Sequence, residues 1–103
     1  MELVIEGLAQ DIARNHTRGC PFINAAAEYP DASSPVRVTV AAHRAWFRDV
    51  LRQVMTAAGA KDPDAAAAEL VLLRDAAMVG GYLDGWDSVR PAFVAAARRA
   101  AAR

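Results

Sequence analysis

Four large apolar residues in a row, Leu70-Val71-Leu72-Leu73, sit inside a stretch from Pro63 to about Leu83 that carries the local marks of a helix. Successive residues of an α-helix lie about 100° apart, so this run points apolar groups around the whole axis. A helix of that kind must be covered on every side. Met78, Val79 and Tyr82 continue one side, and Ala66, Leu70, Ala77 and Gly81 continue the other. In a chain of 103 residues one side can meet the chain's own core, while the other calls for a partner. The small residues Ala77, Gly80 and Gly81 would let another helix come close. Glycine inside a helix costs about 0.5–1 kcal/mol relative to alanine, so closer packing would have to offset it.

The remaining punctuation predicts four more helices. Glu2 to Asn15 places Val4, Ile5, Leu8 and Ile12 on one face and stops in "NHTRG". Pro21 to about Glu28 is short, and Tyr29 before Pro30 ends it, because a residue preceding proline favours extended backbone. Ser34-Pro35 offers an N-cap followed by proline at the first helical position, opening a helix to Ala58 with Gly59 beyond it. Its stripe is Val36, Val40, His43, Phe47, Val50, Leu51 and Val54; Arg37, Arg44, Arg48 and Arg52 form a row away from that stripe. Asp62-Pro63 starts the apolar helix in the same manner. The last helix spans about Ser88 to Ala102, with Val89, Phe93, Ala96, Ala97 and Ala100 on a narrow face. Two successive helices with small-residue faces suggest a four-helix contact between two copies across a two-fold axis, ahead of the plainer reading that the apolar helix is simply the central helix of a monomer. The fold class is therefore all-α, a bundle of about five helices.

Charge and composition narrow the function. Twelve basic residues balance twelve acidic ones, which gives no electrostatic reason to expect nucleic acid or an anionic membrane as a partner of this segment. No apolar run approaches the roughly 20 residues that cross a bilayer. The N-terminus "MELVIEG" lacks the basic start and long apolar core of a signal peptide, and one cysteine builds no disulfide framework. A cytoplasmic setting is expected.

Catalytic readings find little support. Cys20 precedes a helix start, which favours thiolate, but His16 and His43 are the only histidines and no motif places either beside it. A small packed thiol is the commoner state. One cysteine and two scattered histidines fall short of a zinc set. The glycines of "VGGYLDG" follow a helix, not the strand that a phosphate loop requires. Glu69, Asp84 and Asp87 suit helix ends and solvent better than acid–base work. No enzyme activity, cofactor or metal is expected. His43 is read either as a partly buried core histidine or as the polar group that orients a ligand in an apolar cavity. Trp46 beside it is core or cavity wall, and the arginine row is a solvated face more often than a phosphate ridge.

"RGCPFINAAAEYPDASSPVR" and "AAHRAWFRDVLRQVMTAAGAKDPDAAAAELVLLRDAAMVGGYLDG" resemble the C-terminal regulatory domain of TetR-family transcriptional regulators. The resemblance runs from about Thr17 to the C-terminus. It implies a ligand-binding and dimerisation domain over residues 17–103, with residues 1–16 as the tail of a connecting helix. Full-length members carry an N-terminal helix-turn-helix, and ligand binding changes the spacing of the two DNA-reading heads. No stretch before Gly19 resembles those helices, so the sequence is expected to be a fragment or a protein without that head. DNA binding is carried to the parent protein alone. By the resemblance, Cys20, Phe22, Ile23, His43, Trp46, Phe47, Val50, Met78 and Tyr82 would line a pocket for a small apolar or aromatic effector. Leu70, Leu73, Ala77, Gly81, Val89, Phe93 and Ala97 would form the surface of a homodimer. A ligand-free helical dimerisation scaffold is the alternative.

Overall fold

The computed structural model describes residues 2–15 and 21–103, the side chain of Asn15 apart. Five helices follow in order: α1 (Glu2–Asn15), α2 (Pro21–Glu28), α3 (Pro35–Ala57), α4 (Pro63–Asp84) and α5 (Trp86–Ala101). The cap chemistry read from the sequence is in place. The Ser34 hydroxyl accepts from the Arg37 amide at 3.2 Å, and the Asp62 carboxylate accepts from the Ala65 amide at 3.1 Å. Each satisfies an amide that has no partner within its own helix. The boundary that moves most is the start of α5, which begins at Trp86 rather than near Ser88. Gly85, at φ +88°, turns the chain within a single residue and serves both helix ends. That leaves Pro91 inside the helix, where its missing amide leaves the Asp87 carbonyl without its helical donor.

Helices α4 and α5 form an antiparallel hairpin. The chain's end returns to the start of α4, where the Lys61 amide donates to the Arg103 carbonyl at 3.0 Å. Arg103 also pairs with Glu69 at 2.8 Å. At the other end, a Cβ added to Gly80 would lie 3.4 Å from the Val89 side chain, at the tight limit of ordinary packing. The close approach that the small residues of α4 allow is thus made by α5 of the same chain.

One core is built on α4. It receives Ile5, Leu8, Ala9 and Ile12 from α1, Leu51 and Met55 from α3, and Phe93, Val94, Ala97, Ala100 and Ala101 from α5. α4 itself contributes Ala66, Ala67, Leu70, Val71, Ala77, Met78 and Gly81. Ion pairs Glu6–Arg90 at 3.0 Å and Glu2–Arg98 at 3.0 Å tie α1 to α5 along the solvent side. The Arg98 hydrogen bonds hold the Glu2 carboxyl below the usual glutamate range.

Leu70 is completely buried in this core whereas Leu3 is 89% exposed. Leu70→Ala should therefore lower unfolding free energy by about 3 kcal/mol, within the usual 2–5 for a leucine cavity. Leu3→Ala should change it by less than about 0.5 kcal/mol. Urea denaturation of the two variants beside the unmodified chain checks both.

Candidate functional site

Helix α3 is split along its length. Its C-terminal half enters the core through Leu51 and Met55, while His43, Trp46, Phe47 and Val50, at spacings of three and four, form a face nearer the N-terminus that is not fully buried. Helix α2 packs against α3 and has no fully buried residue of its own. Phe22 of α2 stacks on His43, ring centroids 4.5 Å apart and planes 21° from parallel. His43 in turn meets Trp46 at 5.5 Å in a tilted arrangement. These are ordinary aromatic geometries, and they fasten α2 to α3 by ring contact.

Beneath this aromatic wall lies a cleft of about 300 Å³, lined by Phe22, His43, Trp46, Phe47 and Val50 together with Leu8, Asp11, Arg44 and Arg74. A second cleft of about 460 Å³ shares Phe22 and Arg44 with it. That one is walled by Ile23, Ala26, Val40, Ala41 and Ala45, with Arg37, Arg48 and Asp75 among its polar lining. Small-molecule sites commonly have volumes of about 300–1,000 Å³ and mostly apolar walls.

Two charge pairs stand in this region. Arg44 of α3 grips Asp75 of α4 in a bidentate pair, Nη1 to Oδ1 at 3.0 Å and Nη2 to Oδ2 at 2.6 Å. Arg74, the neighbouring residue on α4, donates from Nε to Asp11 Oδ2 of α1 at 3.0 Å, and its Nη2 lies 2.9 Å from the same oxygen. Its guanidinium also lies 5.4 Å from the centre of the Phe47 ring, within cation–π range. These charges are committed to one another, so the arrangement suits holding a molecule against apolar walls better than moving protons. Among the described residues no group of three or more His, Cys, Asp or Glu could hold a metal ion.

The smaller cleft brings together five of the residues assigned to a pocket: Phe22, His43, Trp46, Phe47 and Val50. Ile23 lines the larger one. Cys20 lies outside the described residues. Met78 is fully buried in the core, and Tyr82, more than half exposed near the end of α4, lines neither cleft. The core reading of His43 gives way, because its side is exposed at the cleft wall; Trp46, at 59% exposure, is likewise not core. The arginine row is not a uniform solvated face, since Arg37, Arg44 and Arg48 line the larger cleft. Residues that the sequence reading missed are Leu8, Asp11, Arg74 and Asp75. A signal for the last two was present: an adjacent charge pair in the middle of an otherwise apolar helix needs partners on its neighbours.

The dimer assignment needs correction at five positions. Leu70, Ala77, Gly81, Phe93 and Ala97 are buried within the chain's own core, so they have no surface to offer a second copy. Leu73 and Val89 are half-buried against that core. The apolar side that α4 leaves uncovered is Leu72, Ala76, Val79 and Leu83, with Leu72 at 67% and Leu83 at 70% exposure. Ala96 and Arg99 of α5 border Leu72 and Leu73 across a shallow groove.

Comparison with known proteins agrees with this architecture. A family model described as "Tetracyclin repressor-like, C-terminal domain" matches residues 4–101. Among solved structures, the chain is similar to a TetR-family transcriptional regulator from Streptomyces coelicolor, with 37% sequence identity and a TM-score of 0.85. The match covers 94% of this chain and 53% of that one, so the chain spans about half the length of that regulator. No protein in the curated set matches the chain.

The Arg44–Asp75 pair is only partly exposed and bidentate, which sets it apart from the solvent-facing Arg52–Asp49 pair. A double-mutant cycle with Arg44→Ala and Asp75→Ala should return a coupling of about 1–2 kcal/mol. The same cycle on Arg52 and Asp49 should return less than about 0.5 kcal/mol. Chemical denaturation of the four single and two double variants checks the contrast.

Proposed function

Since the chain belongs to the tetracyclin repressor-like C-terminal domain family, we propose that it is the effector-sensing and dimerisation domain of a ligand-responsive transcriptional repressor acting in the cytoplasm. The observation that carries this reading is the aromatic-walled cleft between α2 and α3, with Phe22, His43, Trp46 and Phe47 set around the Arg74–Asp11 pair. Apolar walls supply affinity for a small apolar or aromatic effector, and the few polar groups orient it. The effector acts on the parent protein through a helix-turn-helix domain that makes the DNA contacts.

Trp46 gives this reading a direct readout. An effector entering the smaller cleft alters Trp46 emission, and Trp46→Phe removes that response while Trp86 continues to report the folded state. Phe22→Ala should weaken binding by about tenfold, as loss of a central aromatic anchor does. A broad library of apolar and aromatic compounds that leaves both emission and thermal midpoint unchanged would overturn effector sensing and leave a ligand-free dimerisation scaffold.

Dimerisation is supported by the uncovered side of α4. Leu72, Ala76, Val79 and Leu83 follow one another at spacings of three and four residues, and contiguous apolar patches of this kind mark protein interfaces. A second copy related by a two-fold axis would bury the same row on both partners. Sedimentation equilibrium should therefore give a dimer for the unmodified chain. Leu72→Glu combined with Leu83→Glu should raise its dissociation constant at least about 100-fold, with helical circular dichroism retained. A monomer for the unmodified chain would sink the dimer assignment.

A further inference from the structure

We infer that the larger cleft binds an organic anion: an apolar body seated between α2 and α3, with a carboxylate paired to Arg48. The inference rests on the effector-sensing reading and adds to the aromatic-walled cleft an adjoining site, sharing Phe22 and Arg44 with it, for a ligand of stated chemical class. Among the described residues three guanidinium groups and one carboxylate line this cleft, namely Arg37, Arg44 and Arg48 against Asp75. The Arg44 pair with Asp75 neutralises one positive charge and leaves two. Arg37 donates to main-chain oxygens of Tyr29 and Pro30, at 3.4 and 3.0 Å, and its charge is felt by the Asp31 carboxylate, which leaves Arg48 as the cation open to a ligand. Among the described residues Arg48 forms no ion pair.

Two neighbouring acids already have other hydrogen-bond donors. Asp49 accepts from Arg52 at 2.7 Å and from Gln53 at 2.8 Å, and those bonds hold its carboxyl below the usual aspartate range. Asp31 accepts from the Ser33 amide and hydroxyl, at 2.9 and 2.8 Å. The cleft therefore offers apolar walls and unbalanced positive charge together. A neutral apolar compound uses only the walls, and an organic cation is repelled. An amphipathic carboxylate uses both features, and a planar guanidinium fork matches its two oxygens.

The test compares three ten-carbon probes on the full chain by isothermal titration at low salt: decanoate, decanol and decyltrimethylammonium. Decanoate should bind at least about tenfold more tightly than either of the others, since charge-assisted hydrogen bonds are the strong ones. Arg48→Gln, at an exposed position outside the core, should remove most of that preference while leaving decanol binding unchanged. Decanol binding as tightly as decanoate would overturn the anion assignment and leave effector sensing standing. A decanoate preference that survives Arg48→Gln would overturn the role of Arg48. Absence of binding by all three probes also overturns the inference, while effector sensing itself is decided separately by the Trp46 response.

Discussion

Everything about the cleft follows from one constraint on α4: an almost wholly apolar helix carries two adjacent charges at its middle. Arg74 and Asp75 lie about 100° apart around the axis and so face different neighbours. Arg74 reaches Asp11 on α1, and Asp75 receives Arg44 from α3. Neither charge could be withdrawn from water at this depth without a partner, because an unpaired, partly desolvated charge is costly. The two pairs therefore fix α1 and α3 on either side of α4. The aromatic face of α3 then stands beside polar groups that are already satisfied.

The alanines of the core explain where the large apolar side chains went. Ala9, Ala66, Ala67, Ala77, Ala97, Ala100 and Ala101 are all buried, and they occupy little volume. Helices that meet through alanine and glycine pack closely, as the Gly80–Val89 approach shows. A core filled in this way does not take up every bulky group the sequence supplies. Phe22, Trp46 and Phe47 gather instead at the cleft, and Leu72 and Leu83 on the uncovered side of α4. The same economy of interior volume thus produces two apolar surfaces, one at the cleft and one along the uncovered side of α4.

Much of the fold could be read from local chemistry. The caps Ser34-Pro35 and Asp62-Pro63, and the glycine at 59, announce helix ends through backbone rules that need no tertiary information. The start of α5 is not legible in the sequence, because a glycine at positive φ can join two helices without a loop. On α3, the spacing of His43, Trp46, Phe47 and Val50 was enough to bring them together, since an amphipathic face has a direction. Their exposure was not legible, because periodicity does not say whether α2 or the core covers a given face.

The opposite holds for α4, and the reason is geometric. A helix apolar on every side has almost no directional signal, so its sequence shows that two faces must be covered but not which face meets which neighbour. The small-residue side, Ala77, Gly80 and Gly81, looked like the place for a foreign helix because close approach is what small residues permit. The chain's own α5 had prior claim to it. A single-residue link at Gly85 sets α5 immediately beside α4, and a neighbour held at such high effective concentration takes the best-packing face first. What remains for any partner is the side with the larger side chains, Leu72, Val79 and Leu83, which α5 could approach only at greater distance. In a hairpin of this kind, small residues mark the fold's own contact, and the bulky row is the side that the hairpin leaves uncovered.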